Sequence, residues 1–198
     1  VMLGKRGPRA QRSTPQAKTR LIVLGSLSIT FGAIAMLTST REGQIALVGC
    51  LLFAAISFAV AWKGQHRSLP GQLWGVLGLS SPAVPVLLVG GVPLLSVLQI
   101  WVIYLLGFLA TTLAVRGVIA SQKQKPRQLH WLVLLSITSV VGGLIAAGET
   151  WPMAALPMVL MSWVLMASPP PAKQLKQVGW SLVSVTMITA LLTCVVHW

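Results

Sequence analysis

The stretch that decides the fold class is residues 45–56, which read Ile-Ala-Leu-Val-Gly-Cys-Leu-Leu-Phe-Ala-Ala-Ile. It is a continuous apolar run without the alternation of apolar and polar residues seen in the strands of a membrane barrel, so it is typical of a helix surrounded by lipid. The whole chain shares this character, with 55% hydrophobic and 9% charged residues. A water-soluble surface needs far more charge. The sequence therefore predicts an integral membrane protein built from helices.

Seven apolar runs approach the length of about 20 residues that a helix needs to cross a hydrocarbon layer of about 30 Å. Lipid offers no partner to an unpaired backbone group, so helices are the expected form of each run. We predict an all-α bundle over residues 21–198, preceded by a basic segment over residues 1–20. The predicted spans are residues 21–39, 45–62, 73–90, 92–115, 129–147, 151–167 and 178–197.

The basic residues predict the orientation of the chain. Fourteen of the fifteen Lys and Arg residues fall in the first 20 residues or in alternate connections, and the opposite connections hold only Arg41, Glu42 and Glu149 as charged residues. Lys and Arg are enriched on the cytoplasmic side of membrane proteins. We therefore expect a multi-pass protein of the plasma membrane with its N-terminus in the cytoplasm and its C-terminus outside.

The tryptophans follow the same plan. Indole rings prefer the level of the lipid headgroups, and six of the eight Trp residues fall at predicted span ends. Trp101 and Trp163 lie well inside predicted spans. We expect these two side chains to pack between helices.

The net charge of +13 would indicate a nucleic-acid binder in a soluble protein. Here the basic residues separate long apolar runs and do not share one folded face, so membrane lipids are the predicted partner and nucleic acid is not. The oligomeric state cannot be read from this pattern.

Ordinary catalytic chemistry has little support in these residues. The chain has no Asp, which excludes a Ser-His-Asp triad, and its two Glu residues, Glu42 and Glu149, give acid-base catalysis almost no support. His66, His130 and His197 are scattered at predicted membrane edges, and Cys50 and Cys194 have no metal-binding spacing. We predict no cofactor, no metal site and no enzymatic activity of an ordinary kind.

The third predicted span contains a break. Ser80 and Ser81 precede Pro82 and Pro85, and two prolines three residues apart remove backbone donors in mid-membrane. Broken helices line binding sites in many transporters. If this one lines a path, both serines should face a polar cavity; if it is a packing kink, they should bond to their own helix. A small transporter or permease component is therefore the alternative function.

A second candidate site is a cluster of basic residues between the fourth and fifth spans. It contains Arg116, Lys123, Lys125, Arg127 and His130. Such a cluster at the cytoplasmic face can hold a phosphate or diphosphate headgroup. It can equally do no more than set the topology of the chain.

From about residue 60 onward the order of features resembles the YwiC-like family of bacterial membrane proteins, whose fold is similar to that of the UbiA prenyltransferases. The segments that carry the resemblance are residues 67–69, 78–79, 101–107, 115–119 and 175–181. The resemblance implies a bundle of nine helices, of which the first two, with the family's His-Gly-Ala-Trp segment, are missing here. A fragment that begins in the second cytoplasmic loop would explain why the sequence starts at Val1.

Related prenyltransferases carry two Asp-rich motifs that hold magnesium and diphosphate, in loops that correspond to residues 1–20 and 116–128. Both segments lack acidic residues, and magnesium prefers carboxylate ligands. The resemblance therefore implies the architecture without the prenyl-transfer mechanism. We predict an integral membrane protein that binds an isoprenoid or lipid between its helices, and a divergent prenyltransferase-like enzyme is the third hypothesis, after transport.

Overall fold

The computed structural model of the protein describes residues 15–62, 64 and 68–197. These residues form eight α-helices, two short 3₁₀ helices and no strand. The α-helices are α1 (Pro15–Thr38), α2 (Arg41–Trp62), α3 (Leu69–Ser80), α4 (Ala83–Val89), α5 (Leu94–Gln122), α6 (Gln128–Ala146), α7 (Leu156–Ala167) and α8 (Leu175–His197). The 3₁₀ helices span Trp151–Ala155 and Ala172–Gln174.

Five helical segments are long and apolar enough to cross a membrane, with mean hydropathies between 1.5 and 2.2. Large apolar side chains such as Leu51 and Phe58 are 66% exposed, which suits a surface that meets lipid. The predicted all-helical membrane protein is confirmed at this level. The five segments are Arg41–Val60, Gly71–Val89, Leu94–Gln122, Gln128–Ala146 and Lys176–His197.

The remaining two predicted spans are apolar helical segments of lesser length, Ile22–Thr38 and Trp151–Ala167. The second is shortened as an α-helix because Pro157 has no N–H to donate to the carbonyl of Met153 and its ring displaces that carbonyl. The N–H of Leu156 bonds to the Met153 carbonyl instead, which closes a 3₁₀ turn. The α-helical part of this span therefore begins only at Leu156.

The chain divides into two units, residues 1–40 and residues 41–198. The first unit contains α1, whose apolar side chains, such as Ile29 and Phe31, are exposed. Most of the predicted basic segment over residues 1–20 lies outside the described residues, as do Lys63, His66, Arg67 and Trp198. The candidate sites all belong to the second unit.

Helix α5 is the centre of the second unit and contacts α3, α4, α6, α7 and α8. It contains no proline between Leu94 and Gln122, so it continues through 29 residues. Its buried side chains, among them Leu113 and Val118, join Leu134 of α6 and Val159 of α7 in one core cluster. The helix runs seven residues beyond Val115, where the predicted span ends, so Arg116 lies on α5.

Two glycines allow α5 to lie close to α7. A Cβ atom placed on Gly107 would collide with Sδ of Met158, and one placed on Gly117 would collide with Sδ of Met166. Both methionine side chains are almost fully buried. The thioether chains of α7 therefore occupy the space that side chains at these two positions of α5 would need.

We predict that Gly107→Ala destabilises the folded bundle by about 1–3 kcal/mol, the usual cost of overpacking a filled core. Thermal unfolding in detergent micelles measures the change. Gly142→Ala is the matched control, because no atom lies within 4 Å of the Cβ that it would add on the exposed face of α6. Equal melting temperatures for the two variants would contradict the close packing of α5 against α7.

Candidate functional site

The predicted break in the third span lies between Ser80, the last residue of α3, and Ala83, the first of α4. Pro82 has no N–H to donate to the carbonyl of Gly78, and the Ser81 hydroxyl donates to that carbonyl instead, at 3.0 Å. Pro85 likewise has no N–H to donate to the carbonyl of Ser81, and the N–H of Val84 donates to that carbonyl instead, at 3.0 Å. The backbone groups released by the two prolines are therefore paired locally.

The neighbouring serine also serves packing. The Ser80 hydroxyl donates to the Leu77 carbonyl and accepts a bond from Trp101 Nε1, each at 3.2 Å. Both serines are more than nine-tenths buried. This arrangement is the one that the packing interpretation predicts. Trp163 likewise packs between helices, with its Nε1 donating to Thr138 Oγ1 at 2.9 Å.

The basic cluster lines a cavity of about 610 Å³ at the end of the bundle where α5 ends and α6 begins. Four of its five predicted members, Arg116, Lys123, Lys125 and His130, line this cavity together. Arg116 stands on the last turns of α5, the two lysines follow in the connection, and His130 lies in the first turn of α6. We call this space the basic cavity. Its wall is completed by Gln72, Ile119, Ala120, Pro126 and Leu129.

The two lysines are positioned by the way in which α5 ends. Gln124 has a φ of 52°, in the left-handed region, which turns the chain out of the helix. Its N–H bonds to the Ser121 carbonyl at 3.0 Å, and the N–H of Lys125 bonds to the Ala120 carbonyl at 2.9 Å. This pair of bonds is the Schellman motif. It ends the helix with Lys123 and Lys125 on either side of the turn.

Arg127 has a different role from the one predicted. Its Nη1 donates to the Met166 carbonyl at 3.0 Å, and its guanidinium carbon lies 5.9 Å from the centre of the Trp131 ring. Met166 belongs to the last turn of α7, whose carbonyls have no partner within the helix. Arg127 therefore closes the end of α7, and it is not among the residues that line the basic cavity.

The start of α6 forms part of the cavity wall. Leu129 and His130 come from its first turn, where N–H groups have no partner within the helix. The N-cap residue, Arg127, supplies no side-chain hydrogen bond, and the first turn has no acidic residue. His130 Nδ1 is enclosed and has no hydrogen-bond partner among the described residues. This end of α6 therefore favours a negative charge beside it.

A smaller cavity of about 260 Å³ adjoins the basic cavity, and Gln72, Arg116 and Ile119 line both. It extends along α5 toward the middle of the bundle, reaching Thr111 about 18 Å from Lys123 along the helix axis. We call it the inner crevice. Its other lining residues are Thr112, Val115 and Leu182.

Sequence reasoning missed Gln72 of α3 and the lining of the inner crevice. Nothing in the local pattern marks these residues, because Gln72 falls just before a predicted span and Thr111, Thr112 and Leu182 fall inside apolar runs. Only the packing of α3 and α8 near α5 brings them together.

Comparisons of this chain with family models, with curated proteins and with solved structures give no match. The resemblance to the YwiC-like family stays a prediction.

We predict that Gln124→Gly raises the melting temperature, because glycine adopts the left-handed conformation at Gln124 without the cost of about 1 kcal/mol that a side chain carries there. Thermal unfolding in micelles measures it. Gly148→Gln is the reverse control, since Gly148 ends α6 at a φ of 93° with the same bonding pattern. Stabilisation by Gly148→Gln would contradict the role assigned to this turn.

A thiol-labelling experiment tests whether the break in the third span lines a water-filled path. In a Cys50→Ala/Cys194→Ala background reconstituted in vesicles, we expect Ser81→Cys to resist a charged, membrane-impermeant thiol reagent, because this side chain is buried. Lys123→Cys is the reactive control, since Lys123 is exposed. Rapid labelling of Ser81→Cys would favour a transport path through the break.

Proposed function

We propose that the protein binds an anionic lipid or isoprenoid between its helices, with the headgroup in the basic cavity and the tail in the inner crevice. The observation that carries this proposal is the shared wall of the two spaces, which joins a cluster of cations to an apolar slot through Gln72, Arg116 and Ile119. A ligand that is charged at one end and apolar at the other matches both halves of this wall.

The headgroup half is suited to phosphate oxygens. Arg116 can offer a planar fork of N–H donors, and Lys123 and Lys125 add two mobile ammonium groups. The first turn of α6, whose Leu129 and His130 line the same cavity, has backbone N–H groups without a partner in the helix. An anion in this position meets positive charge from a helix, a turn and a second helix.

The inner crevice, which would hold the tail, has a lining suited to an apolar chain. Val115, Ile119 and Leu182 present apolar surface to the inner crevice. The hydroxyl of Thr111, which also lines it, donates to the Phe108 carbonyl of its own helix at 3.1 Å. A polar group whose bond is already made does not require water in the crevice, so an acyl or isoprenyl chain can occupy it.

The position of the site suits a ligand drawn from the membrane. The ends of α5 and α7 and the starts of α6 and α8 carry Arg116, Lys123, Lys125, Arg127, Lys173 and Lys176, whereas Glu149 follows the opposite end of α6. By the positive-inside rule we assign the basic end to the cytoplasm, in a bacterial inner membrane. Membership of the YwiC-like family, with a UbiA-like bundle, belongs to the same proposal.

Transport through the break at Pro82 is the alternative proposal. The break itself supports this alternative. The hydrogen bonds around the break do not, because the backbone groups and serine hydroxyls there are paired within the bundle. Thiol labelling at Ser81 separates the two functions.

We predict that the purified protein retains a phosphate-bearing lipid or isoprenoid, seen as a bound mass in native mass spectrometry from micelles. Lys123→Ala/Lys125→Ala should reduce the occupied fraction and weaken rebinding roughly tenfold or more, since each cation beside an anionic surface contributes about 1 kcal/mol.

Lys173→Ala/Lys176→Ala is the matched control for this experiment. It removes the same charge from the same end of the bundle at exposed positions that do not line the basic cavity. Equal loss of bound lipid in both double variants would mean that net charge alone attracts lipid, and would overturn the proposed site. Wild-type protein that retains no such ligand would do the same.

A further inference from the structure

We propose that the basic cavity holds its phosphate ligand with protein cations alone, without a divalent metal ion, and that it selects a multiply charged terminal phosphate or diphosphate. This inference rests on the proposed function and specifies its ligand. The resemblance to prenyltransferases implies magnesium between protein and diphosphate, so the inference departs from what that resemblance implies.

The donor set of the cavity does not fit magnesium. Magnesium takes hard oxygen ligands, and in phosphate sites it is held by one or two carboxylates. The described residues that line the basic cavity include no carboxylate, and the whole sequence has no Asp and two Glu. Among the described residues no group of three or more His, Cys, Asp or Glu side chains could hold a metal ion.

Neither glutamate can reach the cavity. Glu149 follows the far end of α6, and the helix between His130 and Ala146 is about 24 Å long. Glu42 lies in the first turn of α2, about 30 Å along that helix from Trp62, the end that leads toward α3 and Gln72. The carboxylates that would hold a metal are therefore at the opposite end of the bundle.

Basic side chains supply the positive charge that a metal ion would otherwise bring to the phosphate. Arg116, Lys123 and Lys125 bring three positive charges to one space, and the first turn of α6 adds N–H donors with no helical partner. A divalent ion placed among them would be repelled by all three. A magnesium-bound phosphate would also carry less negative charge for these groups to attract.

The number of cations indicates the class of headgroup. A phosphodiester lipid carries one negative charge on its phosphate, and one Arg or Lys is enough to pair it. A terminal phosphate monoester approaches two negative charges at neutral pH, since its second pKa is about 6. A diphosphate carries more. Three basic residues that line one cavity therefore favour a monoester or diphosphate over a phosphodiester.

Equilibrium binding to the wild-type protein in phosphatidylcholine nanodiscs tests this inference. The probes are fluorescent phosphatidic acid, fluorescent phosphatidylglycerol and inorganic pyrophosphate as a competitor without a tail. We expect phosphatidic acid to bind with the same Kd, within twofold, with and without EDTA. Added MgCl₂ should weaken binding at least threefold relative to NaCl at equal ionic strength, and phosphatidylglycerol should bind at least tenfold more weakly.

Lys123→Ala/Lys125→Ala should lower the affinity for phosphatidic acid at least tenfold and bring it close to that for phosphatidylglycerol, whereas Lys173→Ala/Lys176→Ala should keep the tenfold preference. Unchanged melting temperatures show that both variants are folded.

The outcomes separate this inference from the proposed function. Loss of binding in EDTA, restored by magnesium, would overturn the metal-free site and leave lipid binding intact. Equal affinity for the two lipids would overturn the charge selectivity. Pyrophosphate that binds as tightly as phosphatidic acid would overturn a membrane lipid as the source of the phosphate. No saturable binding of either lipid would overturn the proposed function itself.

Discussion

Helix α5 can serve as the centre of this bundle because two of its residues have no side chain. At Gly107 and Gly117 the thioether groups of Met158 and Met166 occupy the space next to the α5 backbone, so α7 lies closer than a Cβ atom would permit. In lipid, helices associate through such close packing, because apolar surface gains little by leaving a solvent that is itself apolar. The contacts of α6 and α8 with α5 and α7 complete the same core.

The second constraint is that lipid leaves no backbone group unpaired without a large cost. The prolines at positions 82 and 157 each interrupt a helix, and each interruption is compensated locally. At the first break the Ser81 hydroxyl donates to the Gly78 carbonyl in place of the missing N–H. At the second break the N–H of Leu156 donates to the Met153 carbonyl in a 3₁₀ turn. A break in a membrane helix is therefore not by itself a sign of a path through the protein, and the hydrogen-bond partners of the polar side chains beside it distinguish the two cases.

The candidate site lies where the end of α5 and the start of α6 bring a cluster of basic residues to one cavity. One of five basic residues, Arg127, is used to close the end of α7, and the other four surround a space that continues into an apolar crevice. The turn at Gln124 sets the lysines apart from the helix. An acid-free phosphate site is the form that this composition permits, because both Glu side chains, Glu42 and Glu149, lie at the other end of the second unit.

The sequence by itself determined the helical membrane class, the segregation of charge between alternate connections, the break near Pro82 and most members of the basic cluster. These features are local, since hydropathy, charge and missing donors act through neighbouring residues. Tertiary structure decided that Arg127 bonds to α7 and that Gln72 and Leu182 join the site. Those outcomes depend on which helices pack together. Residues distant in the chain, such as Gly117 and Met166, determine the packing of α5 against α7 through their fit to each other.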